Sequence, residues 1–110
     1  MVNVKDVTPS SLEKKISIEE IKEAVVKYYK LKPSDMVTKK RTQPAAYARQ
    51  VAMYLTRELT DMSLPEIGQN FGGRDHSTVI HAYETISAKL QNDIILSQEL
   101  KEIQDLAKQI

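Results

Sequence analysis

The stretch SLPEIGQNFGGRDHSTVIHA, residues 63–82, combines a short helical pattern, a glycine pair and the start of a second helix. Its first residues match a capping box, in which the Ser63 hydroxyl and the Glu66 carboxylate each accept a hydrogen bond from the other residue's backbone amide. The chain has only three glycines, and Gly72–Gly73 gives the backbone a left-handed exit from the first helix and lets two helices approach closely. Asp75 can then cap the next helix. A short helix, a tight glycine turn and a longer helix are typical of a helix-turn-helix motif.

The second helix of this motif begins with four polar residues, Asp75, His76, Ser77 and Thr78. In a DNA-binding helix-turn-helix the second helix lies in the major groove, and its N-terminal residues contact base edges. The glycine pair does not fit a nucleotide-binding loop, which needs a glycine–lysine pair after a strand. His76 and His81 are five residues apart, whereas paired metal ligands on one helix face are four apart. We therefore expect neither an enzyme nor a metal site.

The rest of the chain carries helical periodicity, with apolar residues three and four positions apart and few strand signals. Ser17 starts a helix with a second capping box, SIEE, and Pro33 stops it. Ser34 is predicted to cap a short turn through residues 35–38. Further helices are predicted from Pro44 to about Leu59, from Asp75 to Leu90, and from about Ser97 onward. The sequence therefore predicts an all-α domain of five to six helices at residues 17–110, with a Trp-repressor-like helix-turn-helix. Residues 1–16 are predicted to be a linker remnant or flexible tail.

The spacing of apolar residues also predicts which helix faces are buried. The helix after Pro44 has a predicted buried stripe that consists of Ala48, Val51, Ala52, Leu55 and Leu59. Arg49, Gln50 and Arg57 lie off this stripe, so they are predicted to face outward. The inner face of the recognition helix is predicted to consist of Val79, Ile80, Tyr83, Ile86 and Leu90.

The charge of the chain is unevenly distributed. The 110 residues carry a net charge of only +1 and include no cysteine, yet residues 39–60 contain five positive side chains and one negative. A near-neutral protein with one basic segment has a positive electrostatic potential on one face, and that face suits a polyanion. No apolar run approaches the roughly 18 residues of a membrane span, and the N-terminus lacks the apolar core of a signal peptide. We therefore expect a cytoplasmic protein.

Residues 63–82 strongly resemble the signature of the DnaA family, the bacterial chromosomal replication initiators, in its C-terminal DNA-binding domain. Two preceding segments, KYYKLKPSDMVTKKR (27–41) and ARQVAMYLTRELTDMSLPEIG (48–68), extend this resemblance, which covers about Ser17 to Leu90. It implies a nucleoid-associated domain, monomeric in isolation, that binds double-stranded DNA at the nine-base-pair DnaA box (close to TTATNCACA). Such boxes lie at the replication origin, where the family initiates chromosome replication. The family's ATPase domain, which would bind ATP, has no counterpart in this chain, so no cofactor is expected.

The resemblance also implies roles for individual residues. Base contacts would come from Arg41 in the minor groove and from a second set that consists of Leu64, Pro65, Asp75, His76, Ser77 and Thr78. Phosphate contacts would come from Lys39, Thr42, Arg49, Gln50, Arg57 and Ser63, and further from Lys40, Thr60, Arg74 and His81. A minor-groove arginine distinguishes mainly A·T from G·C pairs and is attracted by a narrow A·T-rich groove.

The chain departs from the family pattern at two places. Ser77 stands where many members have threonine, which removes a methyl group that could touch a thymine. Tyr47–Ala48 replaces an Arg-Pro pair found in others, which removes one phosphate contact. Neither change affects the resemblance over the rest of the motif.

Two alternative functions stay open. The fold alone permits an autonomous helix-turn-helix repressor, and repressors of that kind dimerise on two half-sites. The family's linker region is associated with acidic phospholipids, and residues 12–30 are amphipathic with five lysines. Glu19, Glu20 and Glu23 dilute that charge, so lipid binding through the N-terminal helix is at most a secondary activity.

Overall fold

The computed structural model describes residues 15–39 and 42–110, and within them it contains helices and their connections only. The predicted all-α class with five to six helices is confirmed. The helices are α1 (Ile18–Tyr29), a 3₁₀ helix (Pro33–Met36), α2 (Gln43–Leu59), α3 (Leu64–Asn70), α4 (His76–Leu90) and α5 (Ile94–Gln109). Residues 1–14, most of the predicted linker, lie outside the described residues.

Side-chain caps set the start of four of these helices. Ser17 and Ser63 both form the predicted capping boxes, at α1 and α3. Asp75 caps α4 as predicted. The start predicted for the last helix, about Ser97, is wrong, because α5 begins at Ile94. The carboxylate of Asp93 accepts a hydrogen bond from the backbone amide of Leu96 at 2.9 Å and so caps the helix three residues earlier.

Helix α1 ends before Pro33, the residue predicted to stop it. Lys30 adopts a left-handed conformation with φ 58°, so the helix has already ended at Tyr29. The turn predicted for residues 35–38 is a 3₁₀ helix that begins at Pro33. Its N-cap is Lys32, whose backbone amide donates to the carboxylate of Asp35 at 3.0 Å, so Ser34 is not the cap.

Helix α2 is the centre of the fold, since it packs against α1, the 3₁₀ helix, α3 and α4. Its buried arc is therefore wider than the predicted stripe: Met53 and Thr56 are also buried, while Leu59 is only half-buried. The prediction that Arg49 faces outward is wrong. Its side chain is 5% exposed, because the 3₁₀ helix covers that side of α2, a contact that periodicity within one helix cannot show. Arg57 is exposed, as predicted.

Helix α4, the second helix of the helix-turn-helix, buries Val79, Ala82 and Ile86 against the core. Ile80, predicted to be on this inner face, is 36% exposed. Tyr83 is half-buried: its ring stacks on Tyr54 and its hydroxyl donates to an exposed carboxylate of α2. A helix that packs on one side only buries a narrow stripe, and the stripe at i, i+3 and i+7 leaves Ile80 at its edge.

Glycine at position 68 lets α3 approach the start of α4. A Cβ atom built there would lie 1.9 Å from the carbonyl oxygen of Arg74, which is a backbone atom. The Arg74 amide also donates to the Gly68 carbonyl at 2.9 Å. In the turn itself, Gly72 and Gly73 have φ values of 85° and 75°, the left-handed conformation predicted for the exit from α3.

Candidate nucleic-acid interface

The polar start of α4 is exposed. Asp75, His76, Ser77 and Thr78 all lie on the surface, around the N-terminus of the helix. Three groups donate to Oδ1 of Asp75: the Ser77 hydroxyl at 2.7 Å, the Thr78 amide at 3.1 Å and the Thr78 hydroxyl at 3.1 Å. Asp75, Ser77 and Thr78, three of the residues predicted to read bases, therefore form one connected polar group, with His76 exposed beside it.

These hydrogen bonds determine how the group can meet DNA. The Ser77 hydroxyl, the Thr78 amide and the Thr78 hydroxyl lower the pKa of the Asp75 carboxyl, with a smaller contribution from His76. The carboxylate is thus ionised at neutral pH and accepts hydrogen bonds, and the Ser77 and Thr78 hydroxyls both donate to it. Their lone pairs can then accept from a base amino group, of cytosine N4 or adenine N6, in a major groove.

A cationic surface depression adjoins this polar group. Its volume is about 610 Å³ and it lies between α2 and the first turns of α4. Six of the residues with a predicted DNA contact line it, namely Lys39, Arg49, Gln50, Arg74, Thr78 and His81. The structure therefore brings together residues from four separate parts of the sequence, and Thr78 links the depression to the polar group.

Arg49 lies in this depression although its side chain is mostly buried. One guanidinium nitrogen, Nη1, donates to the carbonyl oxygen of Asp35 at 2.7 Å. Burial, and next the charge of Arg74, lower the pKa of Arg49. Within the part of the chain that the structure describes, Lys39, Arg49 and Arg74 line the depression and no acidic residue does, so its field suits an anion.

Arg74 is held by backbone carbonyl groups. Its Nη1 donates to the Phe71 carbonyl, and its Nη2 donates to the Thr38 carbonyl at 2.6 Å. Burial lowers the pKa of this guanidinium. The side chain therefore connects the helix-turn-helix to the segment in front of Lys39.

The other predicted contact residues lie outside the depression. Thr42 is exposed at the N-cap of α2. The hydroxyls of Thr60 and Ser63 take part in local bonds, to the Thr56 carbonyl and from the Glu66 amide respectively. Pro65 is exposed and Leu64 half-buried at the start of α3. Lys40 and Arg41 lie outside the described residues.

Sequence reasoning missed part of the depression. Gln43, Ala46 and Met53 line it together with Gln50, and these four residues lie at i, i+3, i+7 and i+10 on one face of α2. Extending that spacing from Gln50 would have found them. Nothing in the sequence pointed to Gly68, whose partner is the backbone of Arg74.

The comparison with known families agrees with this geometry. The family model described as bacterial DnaA protein helix-turn-helix matches residues 18–86, which include α1, α2, α3, the glycine turn and most of α4. Among the described residues, no helix has the length and apolar character that crossing a membrane requires. The exposed polar start of α4, its glycine turn and the family match lead to one conclusion: the chain belongs to the DnaA family and is its C-terminal, DNA-binding helix-turn-helix domain.

Proposed function

We propose that this domain binds double-stranded DNA sequence-specifically at DnaA boxes and so brings an initiator to the replication origin. The observation that carries the proposal is the juxtaposition of the polar start of α4 with the cationic depression, through Thr78. A duplex presents base edges in the groove and phosphates on either side of it, so reading and gripping groups must be adjacent. Both kinds of group are adjacent here.

The proposed roles follow the place of each residue relative to the start of α4 and to the depression. Asp75, His76, Ser77 and Thr78 read base edges in the major groove, and Leu64 and Pro65 offer apolar contact to thymine methyl groups. Lys39, Arg49, Gln50 and His81 contact phosphates from the depression, while Thr42, Arg57, Thr60 and Ser63 do so from outside it. Arg41 enters the minor groove, and Lys40 and Arg74 add to the positive field.

Binding should be both sequence-specific and dependent on salt. If the phosphate contacts include about four net ion pairs, the slope of log affinity against log salt is about −3.6, and affinity falls roughly 150-fold between about 50 and 200 mM salt. A gel shift with a box-containing duplex, against one changed only in its central bases, measures the preference. Equal affinity for the two duplexes would contradict the proposal.

Arg41→Ala should weaken binding to the box and flatten the preference for A·T at one end of the site. An arginine in a narrow minor groove is attracted by a potential that A·T pairs enhance. Binding to a scrambled duplex should suffer less, because there the groove does not favour the guanidinium. The measurement is a titration of both duplexes with both proteins, and equal losses on the two would count against a reading role for Arg41.

The stoichiometry of binding distinguishes this function from that of an autonomous repressor. A repressor of that type binds as a dimer to two half-sites, whereas the proposed domain binds one box as a monomer. Sedimentation of the chain, free and with one box, gives the stoichiometry. Lipid binding through α1 is disfavoured in the folded state because Ile21 and Val25 are 1% and 0% exposed, and flotation with acidic vesicles tests it.

A further inference from the structure

The helix-turn-helix makes direct contact with the backbone that leads into the basic segment of residues 39–41. Gly72 approaches Val37 so closely that a Cβ atom on this glycine would lie 2.3 Å from the Val37 carbonyl oxygen. Beside it, the guanidinium of Arg74 donates to the carbonyls of Thr38 and Phe71. One side chain thus bonds the turn of the motif and a residue 36 positions earlier in the sequence.

The same stretch of backbone is held from a second side. Arg49 of α2 donates to the carbonyl oxygen of Asp35 at 2.7 Å. Asp35 and Thr38 therefore each accept a hydrogen bond from an arginine that belongs to another helix or turn. Both bonds end on main-chain oxygens, so they hold the path of the backbone whatever the side chains of residues 35–38.

This anchoring is important for the residues that follow. Thr38 directly precedes Lys39, which lines the cationic depression, and Thr42 is the N-cap of α2. Thr38 and Thr42 therefore flank the basic segment in the sequence, and Arg74 holds the first of them.

We propose that Arg74 is a positioning residue, which fixes Thr38 against the turn so that the basic segment and the recognition helix keep one relative placement. The inference rests on the proposed function, in which these two parts read opposite grooves of one box. Arg74 directly precedes Asp75, the N-cap of α4. Its bond to Thr38 therefore fixes the start of α4 relative to the basic segment. The fork of the guanidinium is essential to this role, since it donates to two carbonyls at once. A lysine has the same charge but no such fork.

The test compares Arg74→Lys and Arg74→Ala with Arg57→Ala. Arg57 is an exposed arginine of α2 with a proposed phosphate contact, so its removal should reduce the salt slope by about 0.9. We expect both Arg74 variants to lose box affinity about tenfold, the effect of one lost charge-assisted hydrogen bond. The salt slope of Arg74→Lys, which keeps the positive charge, should stay at the wild-type value. In both variants the preference for A·T should flatten at the same end of the box as in Arg41→Ala.

A double variant makes the comparison sharper. If Arg74 acts by placing the segment that carries Arg41, the loss in Arg41→Ala/Arg74→Lys is smaller than the product of the two single losses. If Arg74 is instead an independent phosphate contact, the losses multiply, Arg74→Lys binds like the wild type, and Arg74→Ala reduces the salt slope as Arg57→Ala does. That second pattern would overturn the inference.

A measurement without DNA keeps the inference testable on its own. Lys39, Lys40 and Arg41 are three consecutive trypsin sites. We expect Arg74→Lys to raise the rate of cleavage at these sites several-fold relative to cleavage after Lys101 and Lys108 in α5, whereas global unfolding would raise all of them together. An unchanged ratio would contradict the positioning role. If the wild type does not prefer the box, the proposed function fails, and the cleavage ratio still decides what Arg74 does to the backbone.

Discussion

Replacing Gly68 by alanine should lower the free energy of unfolding by about 3 kcal/mol, the upper part of the usual range for overpacking. The added methyl carbon would lie 1.9 Å from the Arg74 carbonyl oxygen. That oxygen is part of the backbone between the glycine turn and α4, so it cannot move away as the end of a flexible side chain could. The helices must separate, and the bond from the Arg74 amide to the Gly68 carbonyl is then strained. Denaturant unfolding followed by circular dichroism measures the change.

Substitutions at Gly72 and Gly73 distinguish the effect of steric crowding from the effect of a left-handed backbone conformation. Gly73 has φ 75° but open space around its Cα, so Gly73→Ala should cost only about 1 kcal/mol, the strain of a left-handed residue. Gly73→Asn should be close to the wild type, because asparagine tolerates that conformation. Gly72→Asn should remain strongly destabilised, since its Cβ atom would meet the Val37 carbonyl. Equal effects at all three glycines would contradict the assignment of close approach to Gly68 and Gly72.

His76→Ala should reduce the preference for the box over a scrambled duplex by roughly 5- to 150-fold, which corresponds to the 1–3 kcal/mol of a base contact. His76 is exposed at the first position of α4, so folding should be little affected. Its side chain would lie against base edges if α4 enters the major groove by its N-terminus. Titration of boxes with one base pair changed at a time should locate the loss at one or two adjacent pairs.

His81→Ala is the matched control for this variant. His81 is also exposed, but it lies in the cationic depression and not at the helix start. Removal of a group that contacts phosphates weakens binding about equally on all sequences. His81→Ala should therefore lower the affinity for the box and for the scrambled duplex by the same factor. The reading role of His76 would be refuted if its own variant behaved in that way, or if it left the preference unchanged.

The assignment of reading and gripping groups also explains why the depression and the polar start of α4 are built differently. The polar group depends on short-range bonds, three of them to one oxygen of Asp75. The depression depends on residues of α2, α4 and the segment before residue 40, which only the packed fold brings together. Substitutions in the first should change sequence preference, whereas substitutions in the second, apart from the positioning residue Arg74, should change mainly affinity and salt dependence.

The sequence by itself determined the helical class, the capping boxes at Ser17 and Ser63, the glycine turn and the polar start of α4. These features follow from contacts between residues at most four positions apart, so local patterns reveal them. The cap at Asp93 is just as local, although the predicted start of that helix, about Ser97, lies three residues too late.

Only the tertiary structure decided which polar side chains converge. Arg49 was predicted to face outward because it lies off the apolar stripe of α2, yet the 3₁₀ helix covers it and its guanidinium meets Asp35. Arg74 donates a hydrogen bond to a carbonyl 36 residues earlier in the sequence. Glycine is required at position 68 because the Arg74 carbonyl oxygen lies where a Cβ atom would be. Each of these depends on how separate helices pack, and the energy of such a contact is set by distances that periodicity within one helix does not contain.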